Sequence, residues 1–192
     1  MPKLFLVRHA RPSAHWGEDP DPGIDSAGVE QSRTTASGLA TTLSPVTLLS
    51  SPMRRCRETA QPLECMWQQS ARVFDPVAEI PAPPLDAQAR RAWLDRGMQG
   101  TWDELQSSSP PGSPDYLAWR AALLDSLAKL PDDSVIFTHF IAINAVVAAA
   151  RRSANVVCFR PDHASVTLVE STGSGFNLIA LGREATTGVL TR

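Results

Sequence analysis

The sequence predicts an α/β fold in three α/β/α layers: a mostly parallel sheet, helices on both faces, and a small cap-like excursion. Two observations carry that prediction. Short apolar runs recur along the 192 residues and alternate with longer helical segments, the order in which strands and crossover helices build a parallel sheet. The interval 76–114 breaks the alternation and holds seven of the 16 prolines. It is too short for a domain of its own, so it reads as an insertion lying over the sheet edge, and residues 1–192 read as one domain.

The first strand is Lys3 to Arg8, of the buried type, with Leu4-Phe5-Leu6-Val7 as its apolar run. After the Pro/Gly/Asp-rich loop Pro12 to Gly23, a helix begins with Asp25 or Ser26 as N-cap and runs to about Thr42. Val46 to Ser50 is a short second strand. Ser51-Pro52 reads as an N-cap followed by proline at the first helical position, opening a helix from Met53 to about Gln68. Further strands are expected at Arg72 to Phe74, Ser134 to Thr138, Ser165 to Glu170 and Phe176 to Leu181. Helices are expected at Ser113 to Leu130 and Phe140 to Arg152, and shorter amphipathic pieces inside the excursion at Ala87 to Arg96 and Thr101 to Gln106.

Composition excludes classes without naming a function. The chain is 43% hydrophobic and 20% charged, which is ordinary globular chemistry and not that of a disordered, collagenous or disulfide-framework protein. Its formal net charge of −2 gives no reason to expect nucleic acid or an anionic membrane as a partner. No apolar stretch approaches the roughly 20 residues of a membrane span, and the N-terminus lacks the form of a secretory signal. Cys56, Cys65 and Cys158 are odd in number and without C-x-x-C spacing, which favours free thiols and a cytoplasmic location. Of the 18 basic residues, 16 are arginine, the side chain best suited to bidentate phosphate binding.

No phosphate-binding P-loop, dinucleotide fingerprint, G-x-S-x-G elbow or H-E-x-x-H motif occurs. What remains is a coincidence at strand ends. Arg8-His9 follows the first strand, Ser50-Ser51-Pro52-Met53-Arg54-Arg55-Cys56-Arg57 follows the second, and Thr138-His139 ends the strand Ser134 to Thr138. Ligands of open α/β sheets bind beyond the carboxyl ends of strands, so these groups can meet although far apart in sequence. Guanidinium groups, imidazoles and free helix-start N–H groups together suit a phosphate dianion.

These residues also carry a resemblance. Leu6-Val7-Arg8-His9-Ala10-Arg11-Pro12 resembles the R-H-G signature of the histidine phosphatase superfamily, also called phosphoglycerate mutase-like. Asp21-x-x-Ile24-Asp25-x-x-Gly28-x-x-Gln31 is similar to the D-x-x-L-T-x-x-G-x-x-Q segment of that family. The run Ser50 to Ala60 is similar to its S-S-P-L-x-R-A-x-x-T-A block. Phe137-Thr138-His139 fits the second-histidine strand, and Ala164 to Leu168 a late strand.

The resemblance implies that His9 is a nucleophile that becomes a phosphohistidine, with Arg8, Arg55 and His139 as the positive pocket around the phosphoryl oxygens. The same positive neighbours are expected to keep the His9 imidazole unprotonated near neutral pH. Arg54 and Arg57 are read as a solvated face and a helix salt-bridge partner. Glu79 stands where the family's proton donor is expected; the other reading is an exposed loop glutamate before a proline turn. Ala10 replaces the usual glycine and is expected to leave a backbone N–H beside the phosphate. Phe140 and Ile141 replace glycine or polar residues, which predicts a more apolar wall. His15 and His163 stand where asparagine is frequent and are read as surface or structural histidines.

Only 83 residues separate Arg55 from His139, fewer than the shielding insertions of mutases imply, so water should reach His9 and hydrolysis is favoured. The implied activity is that of a phosphomonoester hydrolase of the histidine-acid type acting on a small phosphorylated metabolite, without metal or cofactor. A phosphoprotein substrate, a mutase and a non-catalytic phosphate-binding module are the alternatives. Substrate contacts are sought on the excursion, at Arg90, Arg91, Trp93 and Trp102, although aromatic residues at helical spacing are more often core.

Overall fold

The computed structural model describes residues 1–14 and 19–185. Its six-stranded sheet has the order β3-β2-β4-β1-β5-β6, with β1 Lys3–Arg8, β2 Thr47–Ser50, β3 Arg72–Val73, β4 Ser134–Thr138, β5 Val166–Ser171 and β6 Phe176–Ala180. The neighbours from β3 to β1 pair in parallel, whereas β5 and β6 are antiparallel, so the sheet is mixed at one edge. The third strand is only two residues long, one fewer than expected.

Side-chain alternation along the strands divides the core in two. Val7, Leu48, Val135 and Phe137 face Ala36 and Leu39 of α1 (Ser26–Thr42) and Cys56, Ala60 and Leu63 of α2 (Arg54–Trp67). Leu4, Leu6, Leu49 and Ile136 face the other layer, with Leu123 and Leu127 of α5 (Tyr116–Ala128) and Ile141, Ile143 and Val146 of α6 (Phe140–Arg151). Burying each such leucine or isoleucine contributes about 1.5–3 kcal/mol. Residues 140–148 of α6 are all buried, including Asn144, which bonds the carbonyl of Phe140 and accepts the amides of Cys158 and Phe159.

Local sequence signals give the helix starts unevenly. Asp25 caps α1 through the amide of Gly28, as expected. The start of α2 differs: Met53, not Ser51, is the N-cap residue, and it has no side-chain cap bond. The first helical amide, that of Arg54, is instead accepted by Asp21 Oδ1 at 2.9 Å, a cap supplied from 33 residues away. Helix α5 begins at Tyr116 behind the N-cap Asp115, later than the expected Ser113.

The excursion folds as α3 (Ala87–Gly97) and α4 (Trp102–Ser108), the second closed by a capping box between Thr101 and Glu104. The chain leaves edge strand β3, and α3 lines the cavity over Arg8 and His9, at the end of the central strand β1. Among the described residues no helix is long and apolar enough to cross a membrane.

Candidate active site

Register brings the two strand-end histidines together. Arg8 pairs with Thr138 across the parallel β1–β4 ladder, so His9 and His139 leave adjacent strands side by side. Their ring centroids lie 5.4 Å apart, edge to face. The His9 amide is bonded to the Thr138 carbonyl at 2.9 Å, which fixes the backbone at the turn out of the strand.

One bond sets the chemistry of His9. Its Nδ1 lies 2.9 Å from the carbonyl oxygen of Ala10, and a carbonyl only accepts, so Nδ1 carries the proton and Nε2 keeps a free lone pair. The imidazole is held well below the usual histidine range, first by burial, then by His139, Arg8 and Arg55. Burial, rather than the expected positive neighbours, is the largest cause.

Ala10 is fully buried, and its amide donates to Thr59 Oγ1 at 2.9 Å, so this N–H is already engaged and not offered to the cavity as expected. The Thr59 hydroxyl in turn donates to the Arg55 carbonyl at 2.6 Å, tying the turn after His9 to the helix carrying Arg55. Alanine fits here because the position does not require a positive φ.

Arg8 is 8% exposed, its Nη1 donating to the Pro161 carbonyl at 2.8 Å and its guanidinium lying 5.1 Å from the Phe140 ring centre. Burial pulls it down to about 10, with Glu79 and Asp162 opposing, and it remains a cation at neutral pH. Arg55 donates through Nη2 to His139 Nδ1 at 3.2 Å. His139 is completely buried, and its other nitrogen is bonded to Ser51 Oγ at 2.7 Å. Of the strand-end groups, Arg8, His9 and Arg55 line the cavity, while His139 stands behind Arg55.

Glu79 is not an exposed loop residue. It lines the same cavity, with Oε1 accepting the amide of Ile80 at 3.0 Å and Oε2 that of Ile141, in the first turn of α6, at 3.3 Å. Burial pushes its carboxyl above the usual range; the two amides and the arginines pull the other way and lose.

The cavity is about 500 Å³ and has an apolar share from Ile80, Leu94, Met98, Phe140 and Ile141, as the residues after His139 predict. Arg90 and Arg91 of α3 also line it. Trp93 and Trp102 do not: they are 3% and 2% exposed and pack on Tyr116 and Trp119 in the core. Arg54 is an exposed surface cation paired with Glu58 at 2.7 Å, and Arg57 is exposed. His15 lies outside the described residues. His163, read as a surface or structural histidine, is 1% exposed, lines the cavity, and its ring is 5.8 Å from that of His9.

The D-x-x-L-T-x-x-G-x-x-Q-like segment has a positioning task. Asp25 pairs with Arg11 at 2.6 Å, Gln31 Oε1 accepts the Arg11 amide at 2.9 Å, and a Cβ on Gly28 would run into the Arg11 carbonyl oxygen. The start of α1 is thus clamped onto the loop that follows His9. Ser51 and Thr59 stand in the Ser50 to Ala60 motif, where nothing local shows which groups they contact, and no local signal marks His163 as lining the cavity.

The family model of the histidine phosphatase superfamily (branch 1) matches residues 4–184. No curated protein matches the chain. Among solved structures, a mycobacterial glucosyl-3-phosphoglycerate phosphatase in complex with inorganic phosphate is similar at 21% identity and a TM-score of 0.75, covering 96% of this chain and 98% of that one. A protein described as mycobacterial hydrolase 1 is similar at 21% identity and a TM-score of 0.74, covering 96% and 100%. A protein from Thermus thermophilus follows at 21% identity and a TM-score of 0.65, covering 95% and 99%. At this identity the structures speak for the fold, and the match over residues 4–184 for the family: the chain belongs to the histidine phosphatase superfamily, branch 1.

Proposed function

We propose that the protein is a phosphomonoester hydrolase acting on a small phosphorylated metabolite through a phosphohistidine on His9. The observation that carries this reading is the Nδ1-protonated tautomer of His9, which leaves Nε2 as a nucleophile beside Arg8 and Arg55 in an open cavity.

In the first step His9 Nε2 attacks phosphorus and the bond from phosphorus to the ester oxygen breaks. The leaving oxygen takes the proton of Glu79, whose raised carboxyl range keeps the acid form available. Arg8 and Arg55 offset charge on the phosphoryl oxygens, and His139 holds Arg55 in place. In the second step a water attacks phosphorus, the N–P bond breaks, Glu79 recovers a proton from the water, and phosphate leaves with His9 neutral again.

A cavity of about 500 Å³ suits a metabolite-sized ester, with Arg90 and Arg91 at one wall and Leu94 and Met98 beside them. The similar mycobacterial protein, named for glucosyl-3-phosphoglycerate, supports phosphorylated metabolites as the class to try first.

The test is phosphate release from p-nitrophenyl phosphate and a panel of phosphorylated metabolites by wild type and His9→Ala. Wild type should release phosphate, and His9→Ala should lose at least about 10³-fold. Undiminished activity in His9→Ala would sink the nucleophile assignment. Phosphoryl transfer between positions of one metabolite with little phosphate release would indicate a mutase, and binding without turnover a phosphate-binding module.

A further inference from the structure

His163 is a buried polar group without a stated purpose. Its Nε2 has no hydrogen-bond partner among the described residues, although the ring is 1% exposed and lines the cavity. Buried polar atoms are nearly always satisfied, so an orphan donor in a cavity wall calls for an explanation, and a hydrogen bond to a substrate oxygen would supply one.

The segment that presents it is built with care. Residues 161–165 wrap the end of β1: the Pro161 carbonyl accepts Arg8 Nη1 at 2.8 Å, the Ala164 amide donates to the Arg8 carbonyl at 3.1 Å, and the Ser165 carbonyl accepts the Arg8 amide at 3.1 Å. Ala164 has φ +53°, left-handed backbone that an alanine adopts only when its surroundings impose it. Thr35 Oγ1 holds its carbonyl at 2.7 Å, and Asn144 anchors the approach through the amides of Cys158 and Phe159. Strain of this kind, next to a side chain that lines the cavity, points to a functional constraint.

Two chemical roles are open to such an imidazole. Burial, with Arg8 adding to it, holds His163 down at about 3, so near neutral pH it is uncharged and a poor proton acceptor. A general-base role toward water therefore does not fit. A neutral imidazole still owns one N–H, which can sit on Nε2.

We infer that His163 is a third imidazole of the phosphoryl pocket, donating Nε2–H to an oxygen of the phosphoryl group transferred to His9. The two ring centres are 5.8 Å apart, which puts the second ring within reach of a phosphoryl group carried on His9. This inference rests on the phosphatase reading of the same site.

The experiment measures the affinity of vanadate and inorganic phosphate by calorimetry, together with kcat and KM on p-nitrophenyl phosphate. The proteins are wild type, His163→Ala, His163→Leu and His163→Asn. His163→Leu keeps the volume where alanine would leave a void. Losing one hydrogen bond to a charged oxygen should weaken vanadate roughly 10- to 100-fold in the alanine and leucine variants and lower kcat more than it raises KM. His163→Asn, whose amide can donate, should recover most of the loss. Vanadate binding to the leucine variant within twofold of wild type overturns the role of His163 while leaving the phosphatase reading standing. A wild type that neither binds vanadate nor turns over substrate overturns both.

Discussion

The guanidinium of Arg55 donates to Nδ1 of His139 at 3.2 Å, and because a guanidinium never accepts, that contact sets the tautomer: the proton of His139 sits on Nε2 and goes to Ser51 Oγ. His139 thus holds Arg55 from behind while its ring edge supports His9. Replacing Arg55 by alanine should lower kcat/KM by about 10²–10³-fold, the scale of losing one preorganised charge stabiliser. It should also release His139. Burial and then Arg55 hold that imidazole well below the usual range, so its titration, followed by NMR, should move upward in Arg55→Ala. An unmoved His139 would mean that the contact is incidental.

Glu79 should matter according to the leaving group. With an alkyl phosphate, whose alkoxide needs a proton, Glu79→Gln should lose about 10²–10⁴-fold in the first step. With p-nitrophenyl phosphate the loss should be much smaller. Because the carboxyl is raised by burial, its acid form persists above the ordinary carboxylate range, and kcat/KM should fall as pH rises through its folded value. That limb should vanish in Glu79→Gln; equal losses on both substrates would count against proton donation.

Thr59 is predicted to act through two neighbours. Its hydroxyl accepts the Ala10 amide and donates to the Arg55 carbonyl, so Thr59→Val strands a buried N–H at a cost of about 1–3 kcal/mol. The Ala10 carbonyl that orients His9 belongs to the same residue, so kcat should fall about tenfold with KM little changed. Thr59→Ser should restore kcat even if stability stays reduced. Recovery of stability without kcat would reduce Thr59 to a structural role.

Stability should decline on acidification, and His163 isolates the reason. Its folded value of about 3 lies below the unfolded value near 6.5, so the unfolded chain binds the extra proton in that window. The neutral burial is fully tolerated above about pH 6.5 and increasingly opposed below it, by about 2 kcal/mol at pH 5. Glu79 has the opposite sign, but it is common to wild type and His163→Asn and cancels in their difference. Between pH 7.5 and 5 the Tm of wild type should drop about 4–8 °C further than that of His163→Asn. Parallel Tm curves would show that His163 is already protonated or hydrated in the folded state.

Local pattern was enough for the β/α alternation, for the helix begun by Asp25 and for the strand-end positions of Arg8, His9 and His139, because hydrophobic period and motif spacing are properties of neighbouring residues. Even a local signal could mislead. Ser51-Pro52 reads as a helix start, yet the Ser51 hydroxyl is taken by His139 and the helix begins at Arg54 with Asp21 as its distant cap. Trp93 and Trp102 look as available as Arg90 and Arg91 along the chain, and only packing sends the tryptophans to the core and the arginines to the cavity.

The sequence by itself therefore determined which groups stand at the strand ends and what chemistry their residue types permit. Tertiary structure decided which nitrogen of His9 is free, that His139 stands behind Arg55, that the Glu79 carboxyl is part-buried in the cavity wall, and that His163 lines the same cavity. The physical reason is the same in each case. Tautomer, protonation and burial are set by partners and dielectric through space, and for His139 and Arg55, or His163 and His9, those partners lie 84 to 154 residues away along the chain.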